Sequence, residues 1–348
     1  MMQKTLLASL IAAALATPLQ TVQAVEVSDQ LEVFGTIEVE YGNNKIKAAD
    51  GTTTTEKGSS LATGAFGSII KPNDKFDITT SFLYEEDLNA VATPLELDEA
   101  FVTWHAMPAE KLDITAGKKY LSFGKYDTSM VSDPLTLELG ETNRKEVLQA
   151  STKNGNLSAT GYLFNGEAEK TDGTGKHKSG FGLGVGYETE NLSGGIDYVS
   201  NITESGGFGD VSNASKKVPG VSIYGSTKLG NVTLMGEHLM ATKAFQAGDL
   251  ASADEDGDGA PDSVLDAAAK PAATHLEAVF DLQNDRTIAI GWDKTKQAAQ
   301  LGLDKTAYGV AYRQPLYKDL TGAIELRQSK GYDDAKTRAL TAQVAYEF

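Results

Sequence analysis

The chain has 348 residues, 31 Lys and Arg against 48 Asp and Glu, a formal net charge of −17, and no cysteine. That balance argues against nucleic acid as a partner, since phosphate binding needs a basic face, and the missing thiols rule out disulfides and thiolate chemistry. Beyond the N-terminus no run approaches about 18 apolar residues, which excludes a helical membrane bundle.

The N-terminus carries export information. Lys4 precedes the apolar run 5–15, Pro18 breaks it, and Val22-Gln23-Ala24 places small residues at cleavage positions. The pattern predicts a secretory signal peptide over 1–24, cleaved near Ala24, and a mature chain beginning at Val25. Residues 25–348 then read as one unit.

From Leu31 onward the signal is a period of two. Leu31, Val33, Ile37, Val39 and Tyr41 alternate with Glu32, Thr36, Glu38 and Glu40, and Phe76, Ile78, Phe82 and Tyr84 alternate with Asp77, Thr79 and Ser81. Sixteen such segments are predicted: 31–41, 60–70, 75–85, 96–104, 111–119, 143–152, 157–164, 179–189, 191–200, 218–229, 231–242, 272–283, 285–295, 303–314, 318–328 and 337–348. Each is near the length that crosses a bilayer at a tilt. The connections alternate by parity. Odd ones are long or polar (42–59, 86–95, 120–142, 165–178, 201–217, 243–271, 296–302, 329–336), whereas even ones are tight, such as Leu229-Gly230-Asn231 and Gln283-Asn284-Asp285. Strands that enter from one side and leave from the other produce that segregation, with long loops outside and short periplasmic turns. The expected fold is all-β: a transmembrane antiparallel barrel of about 16 strands, closed because every backbone polar group in hydrocarbon must pair.

By the alternation, Glu32, Glu38, Glu40, Asp77, Glu99, Asp113, Glu237, Glu277, Asp281, Asp293 and Glu325 face the lumen, against Lys119, Arg313, Arg327 and, at its strand's start, Arg144. This excess of acid predicts a weak cation preference. Gly180, Gly182, Gly184 and Gly186 leave one strand face bare, and a loop folded into the lumen is expected to pack against it. The candidate loop is 120–142. Its charged residues Lys125, Asp133, Glu138 and Glu141 join Glu99, Asp113, Lys119, Arg144, Arg313, Glu325 and Arg327 as the expected pore-lining or constriction set.

The same region carries a family resemblance. Asp98-Glu99-Ala100-Phe101-Val102-Thr103 precedes Gly117-Lys118-Lys119-Tyr120-Leu121-Ser122-Phe123-Gly124, and then Ser132-Asp133-Pro134-Leu135-Thr136-Leu137-Glu138-Leu139-Gly140-Glu141 follows. Over 98–142 this resembles the LbtU family of siderophore porins, the legiobactin-receptor type. The resemblance implies an outer-membrane barrel used in ferric-siderophore entry. Only Val25–Gln30 separates the expected cleavage site from the first strand, so no plug domain or energy-coupling box is expected, and passive or weakly selective passage of small solutes is favoured.

The acidic stretch Asp254-Glu255-Asp256-Gly257-Asp258-Gly259-Ala260-Pro261-Asp262 sets Asp254, Asp256, Asp258 and Asp262 at calcium-loop positions, departing from the motif at Leu265. Calcium is the only cofactor so suggested. His105, His177, His238 and His275 have no metal-ligand spacing, and no nucleophile elbow supports a lipid-hydrolysing barrel, so no enzyme is expected. A non-conducting structural or adhesive barrel is the alternative to a channel. The chain ends on Leu340-x-Ala342-x-Val344-x-Tyr346-x-Phe348, similar to the C-terminal strand that the barrel-assembly machinery reads; Leu340, Val344, Tyr346 and Phe348 are its expected signal. Partners expected are outer-membrane lipid, that machinery, and a small solute or ferric siderophore, with the chain a monomer or homotrimer.

Overall fold

A computed structural model describes residues 24–86, 88, 94–107, 111–142, 144–171, 174–211, 213–252, 261 and 263–348. The expected signal peptide, apart from Ala24, and the calcium positions Asp254, Asp256, Asp258 and Asp262 lie outside the described residues.

Sixteen strands form one closed antiparallel barrel. In chain order they are β1 (Leu31–Lys47), β2 (Thr53–Asn73), β3 (Phe76–Glu85), β4 (Glu96–Met107), β5 (Leu112–Lys119), β6 (Lys145–Asn154), β7 (Leu157–Phe164) and β8 (Gly180–Glu188). They continue as β9 (Leu192–Val199), β10 (Gly220–Leu229), β11 (Val232–Ala241), β12 (Ala272–Asp281), β13 (Thr287–Lys296), β14 (Thr306–Tyr317), β15 (Leu320–Lys330) and β16 (Lys336–Glu347). Each strand pairs with its sequence neighbours. The last closes on the first over Lys336↔Lys47 to Glu347↔Thr36, and Phe348 exchanges two backbone hydrogen bonds with Gly35 (2.9 and 3.0 Å). No free edge is left in the ring, which removes the aggregation hazard of an unpaired strand.

The alternation runs apolar outward. Leu183 is 57% exposed and Ile324 54%, whereas Glu325, their inward counterpart, is 1% exposed. A water-soluble globule sorts these the other way round. Leu340, Val344 and Tyr346 of β16 belong to the outward belt, and Gln343 and Ala345 point in. Tight turns at the other end use positive φ where it is needed: Gly155 (59°), Gly230 (65°), and the Asn284-Asp285 pair (62° and 54°).

Three expectations are corrected. Loop 42–59 is mostly strand: β1 and β2 pair from Lys47↔Thr53 downward, leaving a turn at 48–52 that stands out beyond the barrel. The connection expected between segments 303–314 and 318–328 is displaced: Pro315 lies in β14 at a bulge, a place where strands tolerate proline, and the turn falls at Lys318-Asp319. The bare glycine face of β8 is covered by side chains of adjoining strands, not by an inserted loop. A methyl on Gly180 would overlap the Phe164 ring, one on Gly182 the Tyr162 ring, and one on Gly184 would come within 2.5 Å of Asp197 Oδ1. The glycines make room for two large rings that lie over the neighbouring strand.

Candidate functional site: a lumen crossed by loop 120–142

The loop after β5 turns back into the barrel. Phe123 is 1% exposed, Leu135 and Leu139 are fully buried, and a six-residue helix α1 (Leu135–Gly140) closes the segment. Its turn is tight at Gly124 (φ 86°) and Tyr126 (φ 56°), where the Tyr126 hydroxyl donates to the Phe123 carbonyl at 2.6 Å. A side chain at Gly124 would overlap the Tyr126 ring, so this position admits only glycine.

A segment drawn across a lumen has backbone N–H groups with no strand to pair with, and each needs an acceptor. The barrel wall supplies them as carboxylates, one strand after another. Asp197 on β9 accepts from Gly124 N (3.0 Å), and Glu237 on β11 from Lys125 N and Tyr126 N (3.0 and 2.9 Å). Glu277 on β12 takes Ser129 N (2.8 Å) and the Thr128 hydroxyl (2.6 Å), and Asp293 on β13 takes Leu135 N (3.1 Å). Glu325 on β15 takes Val131 N (2.6 Å), Ser132 N (3.1 Å) and the Ser132 hydroxyl (2.5 Å). His275 sits among these acids: its ring nitrogens lie 2.8 Å from Asp293 and 3.2 Å from Glu277.

On its outer side the loop is roofed by other loops. Leu137, Leu139 and Phe123 share an apolar cluster with Ile202, Phe208, Phe245, Leu250 and Leu301. Beneath, Lys145 is 2% exposed and its ammonium contacts Glu167 (2.9 Å) and Glu204 (3.0 Å). Glu204 also accepts from Glu167 N and Ala168 N, tying 165–168 to 201–205. The pairing with Lys145 holds the Glu167 carboxyl below its usual value.

The expected constriction residues divide into groups. Arg144 donates to Asp98 (2.5 Å) and lies 5.2 Å over the Tyr120 ring; Glu99 accepts from Tyr120 N (3.1 Å); Lys119 lies 5.2 Å over Phe101. Arg313 reaches the Met130 carbonyl (3.5 Å) from the far wall. On the loop itself, burial pushes the Asp133 carboxyl well above its usual value while Arg327 opposes the rise. Burial does the same to Glu141, with the Asp133 charge adding to it, and raises Glu138 to about 8 against the pull of Arg327. Lys125 contacts Asp127 at 3.8 Å. Glu325 does not line an aqueous passage, because both its oxygens are spent on the loop. Asp113 is not at the constriction either: it sits at the short-turn end, 2.7 Å from His105, which also faces Asp77 at 3.2 Å.

Asp98 was the residue that alternation missed. Thr80 pairs with Ala100 and Phe82 with Leu97, so two residues, Asp98 and Glu99, oppose Ser81 alone. The bulge turns both carboxylates inward. Two adjacent acids in an alternating strand were the available signal. Among the described residues no group of three or more His, Asp or Glu side chains is placed to hold a metal ion.

No family model matches the chain. It is 27% identical over 264 residues to a UPF0422 protein of Coxiella burnetii, covering 72% of this chain and 54% of that protein. It is 22% identical over 343 residues to a UPF0422 protein of Legionella pneumophila strain Lens, covering 90% and 61%. The chain thus spans a little over half the length of these relatives. In fold it is similar to OmpF of Salmonella typhi (TM-score 0.63, 13% identity, 93% of this chain and 100% of that one). It is similar also to an anion-selective porin of Comamonas acidovorans (TM-score 0.64, 12% identity, 91% and 99%).

Proposed function

We propose that this chain is an outer-membrane channel whose lumen is narrowed by loop 120–142 and whose passage favours small cationic or neutral solutes. The observation that carries it is the row of five wall carboxylates, Asp197, Glu237, Glu277, Asp293 and Glu325, each holding backbone donors of that loop. A barrel filled only for stability needs apolar packing, not a fixed crossbar hung from carboxyl groups. Beside the crossbar stand the acids Glu38, Glu40 and Glu85 and the bases Arg144, Arg313 and Arg327, and the loop itself contributes Asp133 and Glu141. Charge of both signs across a passage sets ion preference, and the acids outnumber the bases.

The resemblance over 98–142 makes ferric siderophores the substrate class to try first. A calcium ion in 254–262 and assembly through the C-terminal strand complete the proposal. A non-conducting barrel is the second reading, favoured by the apolar cluster that roofs one side of the mouth. Single-channel recording on refolded protein separates the two. Deleting 124–138 should raise conductance severalfold; unchanged conductance would show that the loop is not the constriction. Proteoliposome uptake of a ferric siderophore, compared with a sugar of similar size, tests the substrate class.

A further inference from the structure

At the long-loop end the outward face carries a run of cations that strand register brings side by side. Lys294 on β13 stands opposite Thr306, Thr306 opposite Lys330, Lys330 opposite Lys336, and Lys336 opposite Lys47. One tier nearer the barrel's middle, Arg338 stands opposite Lys45 and donates to Gln328 (3.0 Å). In sequence these residues are scattered over five segments. The next tiers are the exposed aromatics Trp292 and Tyr308, which are cross-strand partners, and then Ile290, Val310, Leu326 and Leu340.

Like charges directly opposite each other across a ladder destabilise it, and this chain has a formal net charge of −17, so cations are scarce. Within the patch the ion pair found is Lys330 with Asp334. On the opposite side of the barrel, at the same end, the outward positions mix signs: Glu146 stands opposite Lys118. The concentration is therefore local to β13–β16 and β1. It lies just beyond an aromatic tier, the level at which a bilayer presents its headgroups.

We propose that this face is a docking surface for phosphorylated headgroups of outer-leaflet amphiphiles, with Lys47, Lys330, Lys336 and Arg338 as the phosphate-binding residues. It rests on the reading above that the barrel spans a membrane with its long loops outside. The extended β1–β2 hairpin stands beside the patch and carries Lys45 and Lys47 past the apolar belt, so both long side chains reach a phosphate layer from the flank. Attraction of this kind is additive over cations and screened by salt.

The test uses the full chain refolded in zwitterionic detergent and a diphosphorylated glycolipid, with its dephosphorylated form as comparison, read by native mass spectrometry. The wild type should retain the phosphorylated lipid and lose it at about 1 M salt. The variant Lys47→Gln/Lys330→Gln/Lys336→Gln/Arg338→Gln should bind at least about tenfold more weakly, while Lys118→Gln/Lys228→Gln should bind as the wild type does. Equal retention by the fourfold variant, or of the dephosphorylated lipid, would overturn the proposal. Displacement by an equal concentration of inorganic pyrophosphate would overturn it too, by showing a free-anion site. Conductance of the same variant keeps the two readings apart: a variant that inserts and conducts with unchanged lipid binding removes only this inference, and a wild type that never inserts removes the channel.

Discussion

Replacing Glu325 with alanine takes the acceptor from Val131 N, Ser132 N and the Ser132 hydroxyl at once. Hydrogen bonds to charged groups are worth about 1.5–3 kcal/mol each, and some of these donors would find water, so a net loss of about 3 kcal/mol is expected in micelle unfolding, with noisier open-channel current. Glu325→Gln keeps one acceptor oxygen and should lose less. Unfolding and noise both unchanged in Glu325→Ala would show that the loop does not depend on this residue. Lys145 makes a sharper case, because its partner Glu204 is as buried as it is. Breaking a buried pair from one side costs about 3–5 kcal/mol, so Lys145→Met should fall in that range, and adding Glu204→Gln should recover part of it. Neither residue's role was legible in the sequence. Alternation assigned Glu325 to the lumen correctly, but whether a lumen carboxylate meets water or a loop amide depends on a segment nearly two hundred residues away.

At the scale of elements, the glycine face of β8 and the loop it was expected to meet teach different things. The strip Gly180, Gly182, Gly184, Gly186 signalled a close approach, and one exists, from the Tyr162 and Phe164 rings of β7. Period two tells which residues share a face but not which neighbour leans over it. Gly182→Ala should therefore displace Tyr162 and lower the thermal midpoint by several degrees, about 1–3 kcal/mol of overpacking. Gly161→Ala meets only Leu183, at 3.4 Å, and should be nearly neutral. Equal effects at both positions would mean that strand propensity, not the ring, sets the glycine requirement. The extended hairpin of β1 and β2 escaped the sequence reading because Asn43, Asn44 and the Asp50-Gly51 pair have loop composition, although the β-branched Thr52–Thr55 run favours a strand. Pairing across the turn, Lys47↔Thr53 and Lys45↔Thr55, overrides that weak local preference.

For the molecule as a whole, the passage should respond to pH through the loop acids. Burial raises Glu138 to about 8 and lifts Asp133 and Glu141 in the same direction. A carboxyl with a raised value is neutral below it and charged above it, so cation preference should increase as pH goes from about 6 to 9. Reversal potentials across that range give the check, and a potential that does not move, or that shifts toward anions, would contradict it. Stability follows the same protons. The folded state holds them to higher pH than the unfolded chain does, so Glu138 makes folding less favourable as pH rises from about 4.5 to 8, and Asp133 and Glu141 act in the same direction. An unfolding midpoint that climbs over that window would reverse the sign.

What the sequence determined by itself was whatever a strand carries locally: sixteen segments, their order, the side on which each turn falls, and, away from the bulge at Asp98, which residues of a strand share a face. All of these follow from a period of two and from turn chemistry, which involve only residues near each other in the chain. The tertiary structure alone decided what those inward and outward residues meet. The five wall carboxylates share a loop, two acids share a bulge, and cations from four strands share one outward patch. Each of those meetings depends on register between strands and on where a long loop comes to rest, and neither is written in the spacing of any single segment.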